Sequence, residues 1–595
     1  MFKVDARETP TTELVASKSN LATPKVDDDV LRIKEIQGNS IAGFMKDHQM
    51  FIFLKITDVK QFKGWLAGMV PFIATAEEVL AFNKLFKLLR TRRGESMTIK
   101  ATWINIAFSF NGLMKLDPTQ ASKFTDAAFK DGLKARSKLL GDPIEASAEG
   151  NPSNWVVGGP DNEADVIVLV ASDDLADLFA EVNRIEQDIY RVRTSDGTFT
   201  RSGAQIIYKQ RGENLPGTLG GHEHFGFLDG VSQPGLRGLL SDNKHDVLTP
   251  RQNPNEPTKQ GKPGQDLIWP GEFVFGYHAQ REKRDNKDDD HIETPGTKKR
   301  HAGPSWGDDG SFLVFRRLRQ DVPGFHSFVN SEAKRLTQAT GLHIEPALLG
   351  AKLVGRWPSG APIMRSLDPT SQKLVDSRAL GDNDCANNDF EFKTEDDLPK
   401  EPPDKNKPGP SQCAKPDGFP ISNGDDPALI CPYASHIRKT YPRNDEIEGL
   451  PDSRLNEVTT QTHRLLRRGI PFGPVAQSSL ESPGLPDKPD KPDKPNGPQR
   501  GLLFFAYMTS IENQFEFVTR RWVNAENFKE AGESGHDLIL GQNNVDADRR
   551  RTFHLKLRDD GSSEVLTTTT DWVIPTGGGY FFSPSISAMK KHLAK

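Results

Sequence analysis

The chain has 595 residues, of which 27% are charged, and a formal net charge of -5 at pH 7. This length exceeds what one hydrophobic core usually supports, which predicts two domains or two fused halves with insertions. Acidic and basic residues are nearly balanced and no basic stripe stands out, which argues against nucleic acid as the main partner. No run of about 18 apolar residues occurs, and the opening MFKVDARETPTTELV lacks the apolar stretch of a signal peptide. We therefore predict a cytoplasmic protein with no membrane partner.

In the first half, hydrophobic periodicity predicts alternating strands and helices after a polar, aperiodic segment at 1–28, which we expect to be disordered. The predicted elements, in chain order, are a strand at 50–56, a helix at 58–69, strands at 101–110 and 165–172, a helix at 175–190 and a strand at 204–210. Strand, helix, strand, strand, helix, strand is the order of a ferredoxin-like unit.

The second half predicts the same order again. Its elements are strands at 311–318, 462–470, 501–508 and 578–584 and helices at 325–340 and 510–522. We therefore predict an α+β fold of two ferredoxin-like units with antiparallel sheets, the first at 29–240 and the second at 241–595. We predict three long insertions, near 281–303, 366–428 and 486–500, because these stretches are too polar to bury surface.

One acidic residue lies among aromatic, aliphatic and histidine residues in the stretch GHEHFGFLDGVSQPG at 221–235. Asp229 follows Phe227 and Leu228, which predicts a carboxyl group in apolar surroundings, where it could move a proton. His222 and His224 in the same stretch offer a competing metal site. A lone H-x-H pair without further spaced ligands is weak evidence for zinc.

A histidine surrounded by cations occurs in the stretch CPYASHIRKTYPRND at 431–445. His436 precedes Arg438, Lys439 and Arg443. A core histidine bonded to the backbone is the ordinary interpretation. The three cations instead suit a bound multivalent anion, such as a phosphate or a pair of propionates. A neutral imidazole beside propionate-binding cations is what a haem site requires.

Two further strands add candidates for the walls of a site. Arg467 and Arg468 are adjacent on a predicted strand and so point to opposite faces, which allows one to face a cavity while the other meets solvent. A pair of solvated arginines on an edge strand is the alternative. Leu502 and Phe504 share one face of another strand, where they form an apolar wall or ordinary core. An acid, a histidine, an arginine and apolar walls are together the parts of a haem pocket.

At these residues the chain resembles the dye-decolorizing peroxidases, in a long, insertion-bearing form similar to the larger intracellular bacterial members. The G-x-x-D-G signature of that family is matched at 226–230. Further blocks similar to the family follow in family order, among them GQDLIWPGEFVFGY, DGSFLVFRRLRQDV, GRWPSGAP, LRRGIPFG and GLLFFAYM. The resemblance implies two ferredoxin-like units in a dimeric α+β barrel-like arrangement, with haem b as the cofactor.

The resemblance also implies a role for each candidate residue. Asp229 and Arg467 would be the catalytic residues, the first as acid–base group and the second as charge stabiliser. His436 would be the proximal ligand of the haem iron, and Asp537, in HDLILG, would bond that histidine. The remaining cofactor contacts would be Arg438 at a propionate and Leu502 and Phe504 on the distal side. His326 is a competing iron ligand, but it fits better as a helix-face residue.

The expected function is reduction of hydrogen peroxide with oxidation of bulky dyes and phenolic reductants, through a ferryl and cation-radical intermediate. Bulky substrates would deliver electrons through surface aromatic residues, with Trp522 and Tyr507 as candidates. One alternative is a haem- or iron-handling binding protein with weak peroxidase activity, and another is a haem-free interaction protein. The expected partners are hydrogen peroxide and aromatic or dye reductants, and a homo-oligomer is compatible with the sequence.

Overall fold

A mixed set of helices packs around one large antiparallel sheet in the computed structural model of the chain. The residues that the structure describes are 30–93, 99–193, 199–239, 265–280, 303–368, 370–383, 386–393, 418–420, 422, 424–445, 447, 459–478, 480, 499–546 and 548–595. The segment 1–28, the division at 240 and most of the insertions at 281–303 and 486–500 lie outside these residues. The two domain ranges therefore stay a prediction.

The first half forms the strands and helices that its periodicity predicts. Its main elements are β1 (His48–Ile56), α1 (Val59–Met69), α2 (Ala76–Arg93), β2 (Thr102–Phe108), β3 (Val166–Ser172), α3 (Leu175–Tyr190) and β4 (Ala204–Glu213). Helix α1 begins where the Asp58 carboxylate accepts a hydrogen bond from the Gln61 N–H at 2.9 Å. Helix α3 buries one stripe of residues spaced three and four apart, namely Leu178, Val182, Ile185 and Ile189.

The second half repeats the pattern with longer connections. Its main elements are β5 (Ser311–Gln320), α4 (Val322–Thr340), α5 (Pro346–Val354), α6 (His436–Thr440), β6 (Leu466–Arg467), β7 (Ile470–Phe472), β8 (Gly501–Met508), β9 (Arg551–Leu555), β10 (Glu564–Thr568) and β11 (Val573–Ser583). Two wide-turned π-type helices follow β8, at Ile511–Glu516 and Val518–Val523. Shorter helices lie at Gly38–Ile41, Phe110–Leu116, Pro118–Ala121, Ala127–Asp131, Leu133–Arg136, Arg378–Gly381, Ile586–Ala588 and Met589–Leu593, and two-residue strands pair Val192–Arg193 with Phe199–Thr200 and Gly235–Leu236 with Leu267–Ile268.

The order of the strands confirms the predicted fold class. The main sheet has nine strands and runs β6-β8-β5-β11-β2-β3-β1-β4, with β7 also paired to β8. Within each half the four strands lie in the order second, third, first, fourth, which is the order of a ferredoxin-like unit. The halves meet at one pair, Phe582 of β11 with Phe108 of β2. Within the described part of the chain no hydrogen-bonded pairing joins the two ends of this path, so the sheet does not close into a barrel.

Alternating side chains bury both faces of the sheet. Ile52 belongs to the core that α1 and α3 cover, whereas its neighbours Phe51 and Phe53 belong to the core on the other face. A third cluster joins α4 and strands β9 and β10 to Phe225 and Phe227 of the GHEHFGFLDG stretch. This packing ties that stretch, which follows the first unit, to the elements of the second.

Three predictions about local structure need correction. The predicted strand at 462–470 is two short strands, β6 and β7, separated at Arg468 and Gly469. Strand β11 begins at Val573 rather than 578. The stretch 366–428 is not all solvated: in its described part Leu380, Phe390 and Phe392 are buried in one cluster with Trp357 and Met364.

None of the helices that the structure describes is long and apolar enough to cross a membrane. This finding agrees with the sequence, which contains no apolar run of that length.

Gly158 packs directly against the backbone of β11, which leads to a stability prediction. Its φ is +84°, and a Cβ placed there would lie 1.8 Å from the Gly578 carbonyl oxygen. We expect Gly158→Ala to lower the free energy of unfolding by roughly 1–3 kcal/mol, because the backbone must move apart. Gly64→Ala in α1 is the control, since its Cβ would meet nothing within 4 Å. In thermal melts Gly158→Ala should unfold below wild type and Gly64→Ala at or above it, and a wild-type melting temperature for Gly158→Ala would contradict the prediction.

Candidate active site

A cavity of about 250 Å³ lies where the GHEHFGFLDG stretch, α6, β6 and β8 meet. Five of the seven predicted site residues line it, namely Asp229, His436, Arg467, Leu502 and Phe504. The stretch that follows the first unit and segments of the second unit thus build one site.

His436, the first residue of α6, is held by a buried carboxylate. Its Nδ1 lies 2.7 Å from Asp537 Oδ2, and the Asp537 side chain is 0% exposed. The other oxygen of Asp537 accepts hydrogen bonds from the N–H groups of Ile539 and Leu540 at 2.8 and 3.2 Å. Asp537 therefore contacts the ring of His436 and is not part of the cavity lining.

The electrostatics of this pair favour a well-oriented imidazole. Burial lowers the pKa of His436, but the charge of Asp537 and its hydrogen bond outweigh burial, so the pKa lies above the ordinary value of histidine. A carboxylate on Nδ1 fixes the tautomer and raises the basicity of Nε2. Among the described residues Nε2 has no hydrogen-bond partner, so this nitrogen is the one that can bind a metal.

Asp229 and Arg467 form an ion pair in the same cavity. Arg467 Nη1 donates to Asp229 Oδ1 at 3.1 Å, and both side chains are 32% exposed. The Gly230 N–H donates to the same Oδ1 at 2.6 Å. Within the described residues no donor reaches Oδ2, which leaves this oxygen as a proton acceptor. Asp229 and Arg467 are both close enough to His436 to influence its pKa.

Glycines allow the turn that presents Asp229. Gly226 and Gly230, at the two ends of the G-x-x-D-G signature, have φ of +98° and +74°, which side-chain-bearing residues rarely adopt. The Asp229 N–H donates to the Gly221 carbonyl at 2.9 Å, and the Leu228 N–H donates to the Pro358 carbonyl at 3.2 Å. These bonds hold the carboxylate on a defined loop.

The prediction that Arg438 contacts a propionate is wrong in this structure. Its guanidinium is 1% exposed, donates to Asp445 Oδ2 at 2.6 Å, and is absent from the cavity lining. Asp445 is the main partner that this buried charge needs. Three other arginines line the cavity instead, namely Arg356, Arg443 and Arg464. Of these, only Arg443 stood out in the sequence, because it lies close to His436.

Apolar and aromatic side chains form the rest of the wall. Leu502 and Phe504 lie there as strand alternation predicts, and Phe390 and Phe392 join them from the stretch that composition alone classed as solvated.

The two residues that the sequence suggests as surface electron donors are buried, with Trp522 2% and Tyr507 1% exposed. Neither is a surface residue in this structure.

The competing metal sites lack the geometry of ligands. His224 Nε2 lies 2.9 Å from the Phe472 carbonyl, and His222 Nδ1 lies 3.2 Å from the Gly220 carbonyl. His326 is buried between Ser478 and the Phe225 carbonyl, with both ring nitrogens at 3.0 Å from those partners. Across the ranges that the structure describes, no group of three or more His, Cys, Asp or Glu residues could hold a metal ion.

Comparisons with known proteins decide the family. The model of the DyP dimeric alpha+beta barrel domain matches residues 35–206. Peroxidase 2 of Mycetinis scorodonius is 30% identical over 571 residues, which are 95% of this chain and 88% of that protein. The chain belongs to the dye-decolorizing peroxidase family. It is therefore a peroxidase, and haem is its cofactor, as the resemblance implies.

Solved structures and other relatives of this dye-decolorizing peroxidase agree. The structure of an ancestral D-type dye-decolorizing peroxidase is 31% identical with a TM-score of 0.68, and the match covers 95% of this chain and all of that one. The multifunctional dye peroxidase DyP2 of the bacterium Amycolatopsis is 24% identical over 94% of this chain and 95% of that protein. This identity is lower than the 30% identity to the Mycetinis protein.

Haem fits the residues of this dye-decolorizing peroxidase. The cavity offers a histidine whose Nδ1 is bonded to a carboxylate, apolar walls, and arginines suited to propionates. These are the donors, wall and countercharges that the cofactor needs.

Proposed function

We propose that this peroxidase reduces hydrogen peroxide and oxidises dyes and phenolic compounds, with Asp229 as acid–base group, Arg467 as charge stabiliser and His436 as iron ligand. The observation that carries the proposal is the ion pair of Asp229 with Arg467, 3.1 Å apart in the cavity that His436 also lines. A binding protein for haem has no need of such a pair.

The residues of this chain suggest how haem would be held. His436 would bind the iron through Nε2, with Asp537 keeping the ring oriented. Arg443 and Arg464 would meet the propionates, in place of Arg438. When bound, haem supplies the redox chemistry that accepts electrons from the reductant.

Asp229 would move one proton between the two oxygens of peroxide. Its Oδ2 would take the proton from one oxygen and return it to the other, which leaves as water when the O–O bond breaks. The electrons for this reduction would come from bound haem, which recovers them from the reductant. Arg467 would stabilise negative charge on the departing oxygen and keep Oδ1 occupied, so that Oδ2 remains the reacting atom.

Phenolic reductants are supported by one solved relative. A dye-decolorizing peroxidase that is 28% identical, with a TM-score of 0.64, has been solved in complex with 2,6-dimethoxyphenol. We propose that the present enzyme accepts electrons from the same chemical class.

The test is to mix the haem-loaded protein with one equivalent of hydrogen peroxide in a stopped-flow spectrometer. We expect a rapid change of the Soret band and its return on addition of 2,6-dimethoxyphenol or an anthraquinone dye. A haem carrier would show neither change at a catalytic rate, and that result would refute the proposal.

Arg467 provides a second test of the assignment. We expect Arg467→Leu to slow the reaction with peroxide by roughly 10²–10³-fold, the usual cost of losing one charge-stabilising donor. Arg468→Lys is the matched control, because Arg468 donates to the carbonyls of Asn39 and Ser40 rather than entering the cavity. Equal rates in the two variants would remove Arg467 from the mechanism.

A further inference from the structure

Glu223 is a carboxylate at the edge of the active-site cavity for which the mechanism has no use. Its Oε1 accepts a hydrogen bond from the Phe227 N–H at 2.9 Å. Its Oε2 accepts one from the Phe225 N–H at 2.8 Å and another from Gln320 Nε2 at 2.5 Å. Both carboxylate oxygens of Glu223 therefore already accept hydrogen bonds from other residues of the protein.

The backbone of Glu223 closes the same turn. Its N–H donates to the Phe227 carbonyl, and its carbonyl accepts from the Gly226 N–H, each at 3.0 Å. Side chain and backbone together make five hydrogen bonds, four of which lie within the turn 223–227. The turn ends two residues before Asp229, so the geometry of the turn determines the position of the Asp229 backbone and of its carboxylate.

The fifth bond ties the turn to the central sheet. Gln320 is the last residue of β5, and its own N–H donates to the Arg500 carbonyl at 2.9 Å. Glu223 thus connects the loop that carries Asp229 to a strand that runs through the middle of the second unit.

Burial of a charged carboxylate at position 223 is energetically unfavourable. Burial raises the pKa of Glu223 to about 7, although the hydrogen bonds from Phe225, Phe227 and Gln320 oppose that rise. A glutamine would be easier to bury, but it offers one accepting oxygen, and its amide group would face a backbone N–H donor. A carboxylate offers one oxygen to each of the two backbone N–H groups in their present positions.

We propose that Glu223 is a positioning residue, whose two carboxylate oxygens hold the 223–227 turn and so place Asp229 against peroxide. The inference rests on the proposed function, because it presumes that Asp229 handles the proton. Glu223 touches neither Arg467 nor His436 through a hydrogen bond within the described residues, so it acts through the loop.

A double-mutant cycle tests the inference on the haem-loaded protein. The second-order rate constant with hydrogen peroxide is measured for wild type, Glu223→Gln, Asp229→Asn and the double variant. We expect Glu223→Gln to lower the constant by roughly 10–100-fold in the wild-type background, since misplacing a reacting group by about 1 Å can cost 10²-fold. In the Asp229→Asn background we expect less than about a twofold further loss, because there is no acid–base group left to misplace.

The outcomes separate the two proposals. A full-rate Asp229→Asn variant refutes the proposed role of Asp229, whatever Glu223 does. A slow Asp229→Asn variant with additive losses in the cycle keeps that role and overturns the positioning role of Glu223. The rate at saturating peroxide with excess 2,6-dimethoxyphenol should stay within about twofold of wild type in Glu223→Gln, because its effect falls on the peroxide step.

A second variant covers the case in which Glu223→Gln does not fold. Gln320→Leu keeps the carboxylate and both backbone bonds but removes the link to β5. We expect a smaller loss in the same rate constant, roughly 2–10-fold, again only when Asp229 is present. A wild-type rate in Gln320→Leu, or an equal loss in the Asp229→Asn background, would overturn the inference.

Discussion

Asp229→Asn is expected to slow the reaction of the haem-loaded enzyme with hydrogen peroxide by roughly 10²–10⁴-fold, the usual contribution of a positioned acid–base group. The substitution keeps the shape of the side chain, and an amide oxygen can still accept from Arg467 and Gly230 at the Oδ1 position. The amide cannot take up and return a proton at the Oδ2 position. The loss should therefore fall on the proton transfer and leave the fold intact.

The measurement is the stopped-flow rate constant with peroxide, with haem content and the Soret maximum recorded for each variant. Unchanged haem content shows that the loss is chemical, because Asp229 lies on a loop at the cavity edge rather than in a core. A variant that reacts within tenfold of wild type would show that another group carries the proton.

His436→Ala has the second large expected effect, which is loss of the cofactor. We expect haem binding to weaken by at least about 100-fold, since loss of an outer partner of a metal ligand alone costs 10–100-fold. Titration of the purified variant with haem, followed by its Soret band, measures the change. Added imidazole should restore part of the band, because the alanine leaves room for a free ligand beside Asp537.

Two other histidines serve as controls for that experiment. His463 lines the same cavity, where its ring stacks on Phe517 at 3.8 Å between centroids. His326 is the competing ligand from the sequence. His463→Ala and His326→Gln should retain haem, and loss of haem in His326→Gln with retention in His436→Ala would reverse the assignment of the iron ligand.

Five of the seven residues that the family resemblance names line one cavity, and strand alternation explains part of that placement. Adjacent arginines on a strand must face opposite ways, and Arg467 does enter the cavity. Its neighbour Arg468 was expected to meet solvent, but it donates to carbonyls of the first half at Asn39 and Ser40. Such carbonyls are 428 or more residues away in the chain, so no local pattern could reveal them.

The incorrect predictions have physical reasons of the same kind. Arg438 lies two residues after His436 on a helix, which turns it by about 200° away from the histidine. The start of strand β11, before residue 578, includes Pro575 and Gly577, two residue types that local propensity disfavours in strands. A side chain would not fit at the next residue, since a Cβ on Gly578 would lie 2.5 Å from Leu133 Cδ2 and 2.6 Å from the Phe315 carbonyl.

The way the cavity is assembled links the cofactor to heat resistance. Asp229, His436 and Leu502 are far apart in the sequence and line one cavity only when the chain is folded. The unfolded chain therefore has no comparable binding site for haem. A ligand that binds the native state alone stabilises it by about 2.7 kcal/mol at a hundred times its dissociation constant. We therefore expect preparations short of haem to contain two populations, of which the one without haem melts at the lower temperature.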